Sequence, residues 1–204
     1  ARVAGSRGPL RAKLFVNSYG SDGYDLTPAT TTPTVPAFTE YVGRSTVGYR
    51  LSDRIELELR GRLAHETQTS TVEVSDAAQR YDNEANRTDW QVAHTLTLGV
   101  RPDMDLEVRL VRSRYQTQTR LTGTGDGDVL SDARYDQQYY KAEVQLQAVL
   151  GDRHLLTTGA GYVRGTVDAD RVVGARSGGF VFVQDEWSPA AWLEVVPSAR
   201  LDAH

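Results

Sequence analysis

Apolar and polar residues alternate one by one along much of the chain. In Ile55-Glu56-Leu57-Glu58-Leu59-Arg60-Gly61-Arg62-Leu63 one set is Ile, Leu, Leu, Gly, Leu and the other is Glu, Glu, Arg, Arg. A helix would scatter the two sets around its circumference, whereas a strand sorts them onto opposite faces. The pattern returns over Tyr140–Ala148. There Tyr140, Ala142, Val144, Leu146 and Ala148 share a face, opposite Lys141, Glu143, Gln145 and Gln147. It returns again in Trp90, Val92, Leu96, Leu98 and Val100, a face interrupted by His94. Short connections rich in Gly, Pro, Asp and Ser fall at 51–54, 101–104, 151–153 and 188–191. Longer polar connections fall at about 20–38, 67–86, 119–135 and 167–177. The pattern predicts about nine strands: 9–19, 38–51, 54–67, 87–101, 104–119, 134–150, 153–167, 177–187 and 192–204. No helical period competes. The expected fold is all-β, an antiparallel up-and-down sheet whose two rims differ.

Many of these strands exceed ten residues, against about 5–6 for globular proteins. A strand tilted by about 45° needs roughly 9–11 residues to cross a bilayer. Long strands with tight turns at one rim and long loops at the other describe a transmembrane β-barrel. Alternation alone also fits a small soluble barrel with its apolar face inside. The aromatic residues favour the membrane: Tyr41 and Tyr49 bracket one apolar face. Trp90, Tyr115, Tyr139, Tyr140 and Tyr162 sit toward the long-loop strand ends, and Trp187 and Trp192 flank a short turn. Rings at both ends of aliphatic strands are what interfacial girdles require. On this reading Ile55, Leu57, Leu59, Leu63, Leu96, Leu98, Val144 and Leu146 face lipid, and Glu56, Glu58, Arg60, Gln145 and Gln147 face a lumen. One strand breaks the rule: Leu106, Val108 and Leu110 lead to Arg112 and Arg114 on the same face. Either a bulge near Val111 swaps the faces or these arginines lie above the membrane.

The 204 residues carry 25% charged and 39% apolar side chains, with mean hydropathy −0.46. Helical membrane spans, which need runs of about 20 apolar residues, are excluded. The net charge of −4 gives no field for nucleic acid. With no cysteine there is no disulfide framework, thiol nucleophile or thiolate metal site. The chain starts at Ala1 and the alternation runs on to His204, so it is expected to be a piece of a longer chain, one domain over 1–204.

The segment Phe180-Val181-Phe182-Val183-Gln184-Asp185-Glu186-Trp187-Ser188-Pro189 leads into Trp192-Leu193-Glu194-Val195-Val196-Pro197-Ser198-Ala199-Arg200-Leu201-Asp202. It resembles the barrel of TonB-dependent outer-membrane receptors. There a strand ending in Gln-Asp-Glu-Trp, a turn with Pro and a strand with Pro-Gly-x-Arg-Tyr-Asp recur. Ser198 stands where Gly is usual and Leu201 where Tyr is. His154-Leu155-Leu156-Thr157-Thr158-Gly159-Ala160-Gly161-Tyr162 is similar to another strand of that family, with Gly161 where Glu is common. Ser21-Asp22-Gly23-Tyr24-Asp25-Leu26 followed by Pro28 resembles the first barrel loop of the cobalamin and colicin receptors. The resemblance is motif-specific over about 150–204 and 7–28. It implies the first nine strands of a roughly 22-stranded barrel in the outer membrane of a Gram-negative bacterium. It also implies a plug domain in the same full-length chain and energy from the TonB complex. The cargo would be a small scarce ligand such as a ferric siderophore, haem or cobalamin.

No catalytic constellation emerges, and an enzyme is not expected. His65, His94, His154 and His204 lack metal-ligand spacing. The loop residues Tyr24, Arg80, Tyr81, Asp126, Asp128 and Tyr135 are the candidate ligand contacts, because they can stack on or hydrogen-bond a polar ligand. Asp126, Asp128, Asp132 and Asp136 are candidate calcium ligands, a hard cation that takes six to eight oxygens. The polar face with Arg44, Arg50, Glu56, Glu58, Arg60, Arg62, Lys141 and Glu143 is expected to contact the plug. Two other classes fit parts of the pattern: a complete small outer-membrane barrel acting as an adhesin or structural protein, and a soluble β-sandwich.

Overall fold

A computed structural model describes residues 1–27, 32–74, 79–125 and 127–203. Eleven strands form one antiparallel sheet. They are β1 (Arg2–Arg7), β2 (Leu10–Ser21), β3 (Ala37–Ser52), β4 (Ile55–Val74), β5 (Gln79–Arg101), β6 (Met104–Gly123), β7 (Val129–Leu150), β8 (His154–Ala169), β9 (Val172–Ala190), β10 (Leu193–Val195) and β11 (Ser198–Ala203). Neighbours pair in chain order from β1 to β10, and β11 also pairs with β9. A β-sandwich would require a second sheet, and the described residues form only this one.

The short turns lie side by side along one rim, each bonded to the next hairpin. Arg50 N–H donates to the Pro9 carbonyl at 3.0 Å, Gly99 to Arg54 at 2.7 Å, Val149 to Asp103 at 2.8 Å and Ser188 to Arg153 at 2.8 Å. Gly8 and Gly151 take φ of 56° and 64° in these turns, a conformation that costs a side-chain-bearing residue.

Three expectations change. The polar stretches at 67–86, 119–135 and 167–177 are mostly strand rather than loop. β4, β5, β6 and β7 are 20, 23, 20 and 22 residues long, about twice what a membrane requires. Polar side chains pair across these extensions: Thr67 Oγ1 donates to Asn86 at 2.8 Å and Asn83 Nδ2 to Ser70 at 3.3 Å. β-Branched and hydrogen-bonding cross-strand pairs stabilise a sheet without apolar burial. Second, the described residues form eleven strands rather than nine. β1 adds a hairpin partner to β2, and Pro197, which has no N–H to give a ladder, separates β10 from β11. Third, no bulge forms at Val111. Leu110, Val111 and Arg112 pair in unbroken register with Ala142, Lys141 and Tyr140.

The register confirms the two faces. Val47, Leu59, His94, Leu110, Ala142 and Tyr162 are successive cross-strand neighbours on the apolar face. Among the described residues no large side chain is fully buried, and leucines, valines and tyrosines are exposed along the sheet. Of the six buried side chains, Ala64, Ala85, Phe180, Glu143 and Thr157 lie on the polar face. A curved sheet crowds its concave side, so the polar face is the concave one. Tyr41, Trp90, Tyr140 and Tyr162 edge the apolar face away from the turns, and Tyr49 and Trp187 edge it near them. Tyr115 and Tyr139, expected with these girdles, stand on the polar face instead, because Tyr115 pairs with Asp89 and Tyr139 with Ser113.

Candidate functional site

The polar face carries two clusters of charge near the turn rim. Arg11 bonds both Glu56 and Glu58, and Arg60 reaches Glu58 at 2.5 Å. Arg109 bonds Glu107 and Glu143, and Lys141 reaches the same Glu143 at 2.8 Å. Glu143 is only 8% exposed, so its two cations offset the cost of burying its charge. Beside them Phe180 is held between Lys141, 5.6 Å from the ring centroid, and Arg200, 4.0 Å away. Gly159 and Gly161 make room for the Phe180 and Phe182 rings: a Cβ on either would strike them.

Farther from the turns the same concave face becomes aromatic. Tyr115 and Tyr135 meet edge to face at 6.0 Å, as do Tyr19 and Phe38. Arg87 pairs with Glu66 at 3.0 Å and Arg62 with Asp89 at 2.7 Å. Arg44, cross-strand from Arg62, and Tyr139 lie on this surface. Rings and guanidinium groups on one concave surface can stack on and hydrogen-bond a planar anionic ligand.

The residues singled out from sequence are not gathered in one place. Tyr24 sits on the β2–β3 connection, bridged to Val35. Arg80 lies at the start of β5, 4.0 Å from Glu73, and its carbonyl accepts from Thr124. Tyr81 and Tyr135 share the concave face but stand on β5 and β7 at different heights: Tyr81 pairs with Gly123 and Tyr135 with Thr117. The Asp128 carbonyl closes the β6–β7 hairpin by accepting from Gly123 at 2.8 Å. Asp126 lies outside the described residues. Tyr115, Tyr139 and Arg44 were not recognised as candidates, since only the register places them beside Tyr135 and Arg62.

Asp132 and Asp136 face the other way, on the apolar side beyond its aromatic edge. Asp136 accepts from Arg114 Nε at 3.0 Å and from Gln116 at 3.3 Å. Asp132 accepts from Gln118 at 2.7 Å and Arg120 at 3.1 Å, with Arg134 at 3.7 Å. The Gln118 hydrogen bond first, then Arg120 and Arg134, hold the Asp132 carboxyl below its usual value. A cation at either carboxylate would have to displace an arginine. Among the described residues no three metal-ligating side chains converge.

The sheet is superimposable on outer-membrane transporters. The ferric enterobactin receptor PfeA of Pseudomonas aeruginosa matches with TM-score 0.68 and 14% identity over 98% of this chain and 36% of its own. The ferric citrate transporter FecA matches at 0.65 with 8% identity, over 95% and 33%. The outer-membrane transporter YddB of Escherichia coli matches at 0.62 with 13% identity, over 95% and 31%. The chain thus spans about a third of each of these proteins. No family model matches it, and no curated protein sequence does. The fold is that of an outer-membrane barrel wall, with an apolar face bounded by aromatic edges.

Proposed function

We propose that the chain forms part of the barrel wall of a TonB-dependent outer-membrane receptor that imports a scarce small ligand. One observation carries this reading: a two-faced sheet, apolar outside and charged on its concave side, that follows the walls of PfeA and FecA over nearly its whole length. The concave side carries charged clusters, among them Glu143 clamped by Arg109 and Lys141. A polar plug domain of the same full-length chain, driven by the TonB complex, is the partner that such a wall suits. The long hairpins then rise on the extracellular side. Their concave surface, with Arg44, Arg87, Tyr115, Tyr135 and Tyr139, is the wall's contribution to ligand capture.

The cargoes named for PfeA and FecA are ferric chelates, and the cationic, aromatic concave surface favours a ferric siderophore within a class that also includes haem and cobalamin. Deleting the gene for the full-length protein should abolish energy-dependent uptake of one such ligand in starved cells. Normal uptake of ferric siderophores, haem and cobalamin in the deletion strain would overturn the proposal. Orientation is read separately: with Asp128→Cys an impermeant thiol reagent should label intact cells, and with Asp152→Cys it should not.

A further inference from the structure

Of the asparagines Asn17, Asn83 and Asn86, only Asn86 stands two residues before a serine or threonine, in Glu84-Ala85-Asn86-Arg87-Thr88. Asn-x-Thr, with x other than Pro, is the acceptor pattern for N-linked sugar on exported proteins. β5 places Asn86 between Thr67 and Gln118 on the outward face. It lies four residues past Trp90 of the aromatic edge, about 13 Å farther along the strand, and so outside the hydrocarbon. Its carboxamide is satisfied with one hydrogen to spare. Oδ1 accepts from Thr67 at 2.8 Å, and Nδ2 donates to Glu84 Oε1 at 2.7 Å. Nδ2 carries two hydrogens, and among the described residues only Glu84 takes one. Beside it a polar cleft of about 770 Å³ opens, with Asn86, Thr88, Gln116, Gln118 and Asp168 on its walls.

We propose that Asn86 is a site of N-linked glycosylation, with the first sugar lying in this cleft. The donor is a lipid-linked oligosaccharide diphosphate. Asn86 Nδ2 attacks the anomeric carbon, the bond from that carbon to the diphosphate oxygen breaks, and the lipid diphosphate leaves. One amide proton passes to a base of the transferase, and nothing is oxidised or reduced. The product fits the finished sheet. A glycosylated Nδ2 keeps one N–H for Glu84, and Oδ1 still accepts from Thr67, so no cross-strand bond is lost. Gln116, Gln118 and Thr88 offer neutral donors and acceptors to sugar hydroxyls. Glu84 is two residues from Asn86 and shares its face in any extended chain, so its carboxylate stands beside the acceptor amide before the sheet forms. The hairpin sets the timing. In the folded sheet β4 engages both halves of the motif: Thr67 holds Asn86, and His65 Nδ1 lies 3.0 Å from Thr88 Oγ1. A transferase that reads the amide and the hydroxyl must therefore act before the β4–β5 hairpin closes, on the exported and still unfolded chain.

The proposal rests on the membrane-wall reading above for export of the chain, and the test separates the two. Full-length protein is purified from the envelope of its own cells and digested with trypsin, which cuts after Arg80 and Arg87 and releases Tyr81–Arg87. Electron-transfer fragmentation, which leaves glycosidic bonds intact, then locates any added mass. In wild-type protein this peptide, or its extension to Arg101 where the sugar blocks cleavage at Arg87, should carry sugar on Asn86. Asn86→Gln and Thr88→Ala should each abolish it, and Thr88→Ser should retain it. Glu84→Gln should lower its occupancy severalfold, and Asn83→Gln in the same peptide should leave it unchanged. Because transfer precedes folding, each variant is read in total envelope protein, so one that fails to insert still reports. A bare Asn86 in wild-type protein, sugar on another residue of the peptide, or sugar that persists in Thr88→Ala would each overturn the site. Protein found in the outer membrane with a bare Asn86 defeats only the glycosylation. Protein that never reaches the outer membrane defeats the wall reading and the site with it.

Discussion

Val144 and Gln145 are adjacent on β7, at nearly the same depth and on opposite faces. Val144 lies between Val108 and Ala160 on the apolar side; Gln145 lies between Glu107 and Gly159 on the concave side. Replacing each by arginine therefore tests sidedness with depth held constant. From Val144 the aromatic edge at Tyr140 is four residues off, about 13 Å along the strand, and the turn at Gly151 is farther. Both exceed the reach of an arginine side chain, so Val144→Arg cannot snorkel out and should cost the midplane value of about 2–4 kcal/mol. In folding equilibrium that is roughly 30- to 700-fold. Gln145→Arg places its charge beside Glu107 in a polar surface and should stay within about 0.5 kcal/mol of wild type. Urea titration of the full-length protein folded into lipid vesicles measures both. Equal costs, or a larger cost at Gln145, would mean that the apolar face does not meet lipid.

Two further outcomes follow from the geometry. At Gly161 a Cβ would stand 2.8 Å from the Ala142 carbonyl oxygen and strike the Phe180 ring, so Gly161→Val should destabilise by about 1–3 kcal/mol in the same titration, whereas Gly174→Ala, with nothing within 4 Å, should be silent. Because the folded Asp132 carboxyl is held below its usual value, its contribution to the β6–β7 hairpin is complete above the unfolded carboxylate range, near pH 4. It is lost only as pH falls through the lower folded value. Hydrogen exchange over 118–134 should therefore be flat from pH 7 to 5 after correction for intrinsic rates, and loosening already at pH 6 would count against the assignment.

The two faces were legible because a period of two leaves a strand only one free choice of phase, and tight turns at Asp53-Arg54 and Pro102-Asp103 transmit that choice to the next strand. The height of the hairpins was not legible. Thr67–Val74 and Gln79–Asn86 are polar on both sides and have the composition of a loop. What makes them strand is the ladder between them, from Thr67 with Asn86 to Val74 with Gln79, and pairing across the chain leaves no local trace. The grouping of the candidate residues in space was not legible for the same reason. Tyr24, Tyr81 and Tyr135 were grouped as loop aromatics, but in the register Tyr135 meets Tyr115 while Tyr24 stands on another hairpin. Asp132 and Asp136 have oxygen-donor spacing suited to a metal, but the facing strand presents Arg120 directly opposite Asp132 and Arg114 within hydrogen-bond reach of Asp136.

Arg112 breaks the apolar face only if hydrogen-bonded rows are taken as level with the membrane. The row of Tyr41 on β3 passes through His65, Thr88, Gln116 and Asp136 to Asp168 on β8. The aromatic edge on β8 is Tyr162, six residues nearer the turns, so over five strands the edge falls by about 1.2 residues per strand. The turn-side edge falls in step. The row of Tyr49 reaches Val181 on β9, and Trp187 stands six residues beyond it after six strands. With about 3.3 Å per residue and about 4.8 Å between strands, these drifts correspond to strands tilted by about 35–40°, within the range of membrane barrels. On that slanted line the edge passes from Trp90 on β5 to Tyr140 on β7, and Arg112 on β6 lies on it, between them. The strand needs no bulge because the arginine already stands at the water-facing edge of the hydrocarbon. Polarised infrared dichroism on oriented bilayers containing the full-length protein should give a mean strand tilt near 40°. A tilt below about 20° would sink Arg112 into the hydrocarbon and refute the slanted edge.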